Sequence, residues 1–561
     1  MADLNKTYDA IVVGSGASGG FAAKELTEGG LQVLLLEAGS HLNPATDFTT
    51  HRWPYEMPFR GFDKPGVRDS VYPNQYTADE YSRTLYIDDR DHPYTTPSDK
   101  PYRWIRSRCV GGKLLHWGRN ARRLSDFDFK AADRDGYGEN WPISYADLAP
   151  YYDKVERFIG VSASIENIAH YPDGKYLPPF PLNCGERIVQ KLAPSLGLGM
   201  RVVPKRAAQR TVAINGLPAC HYCGSCERGC DIGAFWNSAS DTLQAASRTG
   251  RLTLRPDSVV RKILVDDTGN AKGISFVDRN TKKDYEVRGR VVVLGASALE
   301  STRIMLNSQS RYWPNGIANS SGLLGHYLMD NFGGPSVTGL LPVLRDREPV
   351  NEDGKATGVD IVPYRNITSK HPAFIRSYVH EGGSGAQIFP WHAKTMVGYG
   401  NQFKRTVRSY YGAHIGFNTR AETLSRVENF VELDRRTVDR WNIPTLKIHC
   451  KFGANETAMA KDAVENLTAL FDALNAEHVQ VDRNILTPGS MIHDMGTARM
   501  GADPKKSVLN GYNQTHDVSN LFVVDGAAFV TSGGYGPTLT IAALSVRASE
   551  FILQKLKRGE I

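Results

Sequence analysis

The chain has 561 residues, enough for two or more domains with full cores. Hydrophobic residues make up 41% and charged residues 23%, ordinary for a soluble globular protein, and a net charge of +7 at this length gives no reason to invoke nucleic acid. No apolar run reaches 18 residues, so no membrane span is expected, and seven cysteines with four of them clustered do not form a disulfide framework.

The sequence passes from Met1-Ala-Asp-Leu-Asn-Lys6 directly into an apolar run, which leaves no room for the apolar centre of a signal peptide. The expectation is a cytoplasmic chain, with periplasmic export alongside a signal-bearing partner left open. Tyr8-Asp-Ala-Ile-Val-Val-Gly14 predicts a buried strand, Phe21–Thr27 a helix, and Val33–Leu36 a second strand ending at Glu37. Between strand and helix stands Gly14-Ser-Gly16-Ala-Ser-Gly19, a G-x-G-x-x-G run with an acid about 20 residues beyond it. Gly14 permits the tight turn, Gly16 lets the backbone approach a pyrophosphate, and Gly19 lets the helix pack close. The helix N-terminus favours phosphate, and Glu37 is placed to accept hydrogen bonds from a ribose.

Residues 41–100, rich in Pro, Tyr, Asp and Arg, read as long loops around this nucleotide unit. The basic stretch Gly118-Arg119-Asn-Ala-Arg122-Arg123 reads as facing phosphates, a partner or solvent. Then come Cys220, Cys223, Cys226 and Cys230 within eleven residues, in the spacing C-x2-C-x2-C-x3-C. Bacterial ferredoxins hold iron–sulfur clusters with this run, although Asp231 takes the place of the usual following proline. Closely spaced thiolates select iron–sulfur clusters or zinc over hard cations. A structural zinc loop or free thiols are the alternatives, but zinc sites more often split their ligands into two separated pairs. Four cysteines suit a 4Fe-4S cluster, and a 3Fe-4S form using three of them remains open. Such a cluster moves electrons singly. A nicotinamide passes two together, whereas a flavin can accept hydride and release single electrons, so FAD fits better. Cys109, Cys184 and Cys450 read as buried small hydrophobes.

Arg251–Ala296 predicts a strand meander closing on a buried strand, Val291–Gly295, followed by a helix at Leu299–Leu306. Residues 336–484 mix strand-like runs with Gly-rich turns and hold a helix at Glu456–Leu474. Leu521-Phe-Val-Val-Asp525 predicts one more buried strand, and Leu539–Leu556 a final helix with a basic last turn.

Several segments in this order resemble the glucose–methanol–choline family of FAD oxidoreductases, nearly end to end. They are Val13–Gly20 with Glu37; Val110-Gly111-Gly112-Lys-Leu-Leu-His116-Trp117; Gly295–Ser301; Leu324–Asp330; His493-Asp-Met-Gly-Thr-Ala-Arg-Met-Gly501; and Asp525-Gly526 through Pro537-Thr538-Leu539-Thr540. The resemblance implies an α/β fold: a discontinuous Rossmann-like FAD-binding domain, residues 1–335 and 485–561 with the cysteine loop 215–240, and an α+β substrate-binding domain, 336–484, with a large antiparallel-type sheet. It places Gly111, Gly112, His116 and Trp117 beside the isoalloxazine, with His116 either joined covalently to the flavin or only packing and hydrogen-bonding. Asp525, Gly526, Pro537 and Thr538 join the cofactor site. His493 is the expected base for the substrate hydroxyl, a task that suits an imidazole near neutrality. One departure stands out. The family's second His or Asn precedes Pro537, where this chain has Gly536, itself preceded by Tyr535. Either Tyr535 or a residue from elsewhere substitutes, or His493 works nearly alone.

Relatives with clustered cysteines near this position are large catalytic subunits of bacterial sugar and glucoside dehydrogenases, which pass electrons to a cytochrome and carry a separate small subunit. The resemblance thus implies an FAD and iron–sulfur dehydrogenase converting a secondary hydroxyl, preferably C3 of a pyranoside, to a keto-sugar. Its partners would be a sugar or glucoside substrate, a cytochrome-type acceptor subunit and a small partner subunit. Two alternatives remain: an FAD oxidase using dioxygen with a zinc or empty cysteine loop, and a flavoprotein subunit without turnover, which Gly536 favours and the intact His493 motif opposes.

Overall fold

The structure, a computed structural model, describes residues 2–347, 358–386, 390–393 and 395–561. Strands appear in chain order as β1 (Thr7–Val13), β2 (Val33–Leu36), β3 (Val202–Pro204), β4 (Leu252–Arg255), β5 (Ser258–Val265), β6 (Ala271–Asp278) and β7 (Asp284–Leu294). They continue as β8 (Phe332–Leu340), β9 (Val359–Ile361), β10 (Tyr378–Ala386), β11 (His414–Ala421), β12 (Phe430–Val438), β13 (Pro444–His449), β14 (Glu477–Asp482) and β15 (Leu521–Val523).

One long strand joins two kinds of sheet. The first half of β7 pairs antiparallel with β6, and its second half lies parallel to β1 and to β15. Its burial changes accordingly: residues 284–290 alternate between covered and open, while Val291–Leu294 are wholly buried. An antiparallel meander can leave one face to water, whereas parallel strands are covered on both. The seven-stranded sheet runs β4-β2-β1-β7-β6-β5, with β15 beside β7. The helices Ala17–Glu28, Thr538–Lys557 and Tyr145–Ile159 pack in succession across it. The buried strand at 521–525 and the helices at 299–306, 456–474 and 539–556 form within two residues of their expected bounds. Of the expected meander only β5, β6 and β7 pair in succession, β7 beginning at Asp284 rather than Val291, while β4 lies parallel to β2 at the far edge.

A second sheet, six-stranded and antiparallel, runs β14-β8-β11-β10-β9-β3. The helix Ala454–Ala473 covers it, burying Met459, Ala463, Leu467, Leu470 and Phe471 along one side. Its edge strand β3 comes from far upstream, and β8 begins at Phe332.

Two sequence expectations are corrected. Arg122 and Arg123 do not face solvent, phosphate or a partner; they are 1% and 2% exposed. Arg122 forms a bidentate pair with Asp360 (2.8 and 2.6 Å) and reaches Glu381 (2.6 Å), and Arg123 is bidentate to Glu156 (2.8 and 2.6 Å). Buried charges persist only when paired in this way. Cys184 is exposed at the start of the helix Cys184–Leu192, whereas Cys109 and Cys450 are buried.

Candidate active site

A cavity of about 410 Å³ opens at the carboxyl ends of β1, β7 and β15, where open α/β sheets place their ligands. Gly14 turns out of β1 at φ +92°, and a Cβ there would lie 2.4 Å from the Gly295 oxygen. A Cβ at Gly19 would fall 1.8 Å from the Gly14 oxygen, so only glycine lets the helix approach this closely. A Cβ at Gly16 would meet nothing nearer than the Gly111 oxygen at 4.0 Å. That helix has no side-chain cap, so its positive end is turned to the cavity without a side-chain acceptor. Glu37 accepts from Ser15 N (3.0 Å), Ser15 Oγ (2.6 Å) and Gly39 N (2.8 Å). Burial pushes its carboxyl upward against those bonds. Gly111 N in turn donates to Ser15 Oγ at 3.0 Å, which ties the loop 109–117 to the glycine turn.

At the other end of the cavity stands His493. The loop carrying it hangs on one buried carboxylate: Asp330 accepts from Gly489 N (2.8 Å), Met491 N (3.1 Å) and His493 N (3.0 Å). Burial and the charge of Asp494 push Asp330 up to about 7. The preceding Ile492 is held at φ +65°, an outlier for a β-branched residue that persists only when its surroundings over-determine it.

The imidazole is oriented by Asn331. The Asn331 amide nitrogen donates to the Ala421 and Gly533 oxygens (3.2 and 2.6 Å), so its Oδ1 faces His493 Nδ1 at 2.8 Å and accepts from it. With the proton fixed on Nδ1, Nε2 is the lone-pair nitrogen, and it faces Gly536. Burial, with Arg420 and Lys113 nearby, pulls His493 down to about 3, keeping it neutral. Asn120, Arg420, Lys113 and Asp494 line the same space. Tyr535 does not; its ring packs at 5.9 Å on Tyr171, with the Arg122 guanidinium 5.6 Å from its centre.

Sequence comparison matches residues 136–311 and 425–545 to the two parts of the family described as GMC oxidoreductase, and 12–72 to an NAD(P)-binding Rossmann-like domain. The chain belongs to the GMC oxidoreductase family. Among its relatives, 2-methyl-1,2-propanediol dehydrogenase of Mycolicibacterium austroafricanum is 28% identical, over 98% of this chain and 95% of that one. The fructose dehydrogenase large subunit of Gluconobacter japonicus is 27% identical over the full length of both. The crystal structure of pyridoxine 4-oxidase from Mesorbium loti shares the fold, with a TM-score of 0.63 at 18% identity, over 97% of this chain and 98% of that one.

GMC membership implies FAD, and the cavity suits it: an open glycine backbone, a helix N-terminus without a side-chain cap and the buried acid Glu37 lie along one wall. Further along that wall are Gly112, His116, Trp117, Asp525, Gly526, Pro537 and Thr538. Asp525, raised to about 6 by burial, accepts from Ser301 Oγ (2.5 Å) and Ala527 N (3.0 Å). Both ring nitrogens of His116 are engaged, Nδ1 with the Tyr86 hydroxyl (3.1 Å) and Nε2 with Ser107 Oγ (2.7 Å). Burial and Lys113 lower it to about 4.

The cysteine loop abuts this wall. Cys226 and Cys230 form a small core with Phe235, against which Trp117 packs, and Glu227 lines the cavity itself. Gln209 Nε2 donates to Cys220 Sγ (3.0 Å), Tyr222 N to the same sulfur (3.3 Å), and Ala234 N to Cys230 Sγ (3.2 Å). Among the described residues, no three His, Cys, Asp or Glu side chains converge as a metal cage. The four cysteines of the sequence motif therefore share a loop with amide donors at three sulfurs, without closing around one point. No helix among the described residues is long and apolar enough to cross a membrane.

Sequence reasoning missed Asn331, Asn120, Arg420 and Lys113. Asp330 closes one family-like segment and Asn331 follows it, while Asn120 lies four residues beyond His116; no spacing rule marks any of them.

Proposed function

We propose that this chain is an FAD-dependent dehydrogenase oxidising a secondary hydroxyl of a sugar or glucoside, with C3 of a pyranoside as the position attacked. The supporting observation is His493: a neutral imidazole with its proton fixed on Nδ1 by Asn331, presenting Nε2 to the cavity that begins at the glycine turn. The hydroxyl proton passes to Nε2, and the Nδ1–H···Asn331 bond steadies the imidazolium that results. FAD, when bound, supplies the acceptor for the hydride leaving the carbinol carbon. Lys113 and Arg420 add positive charge beside the oxygen as it gives up its proton. In this reading, residues 1–335 and 485–561 hold the cofactor and 336–484 roof the substrate.

The same proposal assigns Cys220, Cys223, Cys226 and Cys230 to an iron–sulfur cluster, with electrons leaving to a cytochrome-type subunit. Four soft donors on one loop suit such a cluster, and amides already directed at sulfur are the contacts that tune its potential. Trp117, which packs on the cysteine loop, and Glu227 within it both line the cavity, which supports a relay close to the cofactor. Two of the relatives are themselves named dehydrogenases, one of them a large subunit. The test is the anaerobic optical spectrum of the purified chain before and after a glucoside is added, with iron and acid-labile sulfide assayed on the same sample. Flavin bands over a broad shoulder, bleaching on addition, are expected. A clean flavin spectrum without iron, with peroxide formed in air as fast as dye is reduced, would refute the relay and favour the oxidase. His493→Ala should retain FAD and lose reduction by the sugar. Cys223→Ser should keep flavin reduction and slow transfer to a cytochrome.

A further inference from the structure

The position opposite His493 is glycine, and space is left for a side chain there. A Cβ added at Gly536 would stand 3.4 Å from His493 Nε2 and 3.6 Å from Asn120 Cβ, ordinary van der Waals separations. Asn120 reaches this spot from the far side of the cavity, from a segment bridged to Ala207.

Its amide is oriented by charge. Asn120 Nδ2 donates to Glu381 Oε1 and Oε2 at 3.2 and 3.4 Å. Glu381 also receives Arg122 (2.6 Å), Arg420 (2.8 Å) and Lys205 (3.6 Å), and these cations hold its carboxyl well below the usual carboxylate range. A carboxylate only accepts, so the amide nitrogen must face it and the oxygen must face away. Asn120 Oδ1 is buried and has no hydrogen-bond partner, in a side chain 6% exposed on the cavity wall. Buried acceptors are expensive to leave unpaired. His493 Nε2 and the Asn120 side chain thus border one small space, and that side chain carries an acceptor with no protein partner.

We infer that Asn120 does the work of the side chain absent at 536: its Oδ1 accepts a hydrogen bond from the substrate hydroxyl next to the one His493 deprotonates, so the substrate is a vicinal diol. This rests on the reading of His493 as base. His493 Nε2 and Asn120 Cβ lie 3.4 and 3.6 Å from the place a Cβ at Gly536 would take, so the base and the amide side chain meet at one gap. A lone alcohol would leave Oδ1 unpaired.

The test is anaerobic flavin reduction in the FAD-loaded full chain, with methyl glucopyranoside and its 2-deoxy and 4-deoxy counterparts as probes. Replacing Asn120 by Ala should lower kcat/KM for the parent glycoside about tenfold to a hundredfold, the range for a lost hydrogen bond to a buried acceptor. One of the deoxy probes should suffer a similar loss with the unaltered chain. The two losses should not add, because the variant and the probe remove the same contact. Gly536→Asn in the Asn120→Ala background should restore at least part of the rate. Additive losses, or equal losses for all three probes, would make Asn120 merely structural and overturn the inference while leaving His493 as base. A chain reduced by none of the probes would sink the dehydrogenase reading as well.

Discussion

Asp330→Asn tests how the loop of His493 is held. The carboxylate now carries three amides at 2.8, 3.1 and 3.0 Å, two on one oxygen and one on the other. Asparagine keeps one oxygen and turns an NH2 toward the remaining amide, which costs about 1–3 kcal/mol for the donor left unpaired. That cost varies with pH in a defined direction. Asp330, 1% exposed and raised to about 7, titrates near 4 once unfolded. Between these values the native state binds more protons than the unfolded one, so the Asp330 contribution to stability is full below pH 4 and falls as pH rises toward 7. Linkage puts the fall between pH 5 and pH 8 at about 2.5 kcal/mol. Asparagine has no such dependence, so the stability gap between the unaltered protein and Asp330→Asn should narrow as pH rises. Urea titrations of both FAD-loaded proteins at pH 5, 6, 7 and 8 measure it, with flavin reduction followed in the same samples. A gap that widens with pH would mean that the three amides depress Asp330 below its unfolded value, and the account of this loop would be refuted.

Gly16→Ala should fold with an unchanged melting temperature but bind FAD at least tenfold more weakly, because its Cβ meets nothing nearer than the Gly111 oxygen at 4.0 Å and stands on the cavity wall; Gly19→Ala, with its Cβ 1.8 Å from a backbone oxygen, should fail to give soluble protein. Cofactor fluorescence titration and soluble yield separate the two. Arg122→Met should destabilise by about 3–5 kcal/mol, since it strips a buried bidentate partner from Asp360 and one of three cations from Glu381. A loss below 1 kcal/mol in urea denaturation would argue against that network. His493, held near 3, should give a reductive rate that changes less than twofold between pH 5 and pH 8 on its account, and a one-proton limb near pH 6.5 would contradict its burial.

Much of the fold was legible in the sequence because its signals are local. The turn at Gly14–Gly19, the acid at Glu37 and the apolar run at Val291–Leu294 each fall within one strand–turn–helix unit. Features set by distant partners were not. Arg122 and Arg123 looked like a solvated charge run because two of their partners, Asp360 and Glu381, lie 238 and 259 residues away from Arg122. The edge strand Val202–Pro204 has three residues, too few for a period, and exists because Val359–Ile361 offers an edge. The orientation of His493 depends on Asn331 meeting two backbone oxygens from separate strands and loops, which no linear spacing encodes. Cys184 was misread because an isolated cysteine carries no pattern of its own.

The salt-bridged cluster of Arg122 with Asp360 and Glu381 also bears on how the chain assembles. Both carboxylates belong to the six-stranded sheet, on β9 and β10, and the guanidinium arrives from the loops that follow the glycine turn. A fragment holding that sheet alone would bury Asp360 without its cation, although Glu381 would keep Arg420 of β11, a penalty of about 3–5 kcal/mol that takes a large share of a domain's usual margin of stability. The sheet should therefore resist folding on its own, whether excised or emerging early from the ribosome. Its consolidation would wait on the N-terminal half already being in place, and heat should melt the two sheets in one transition.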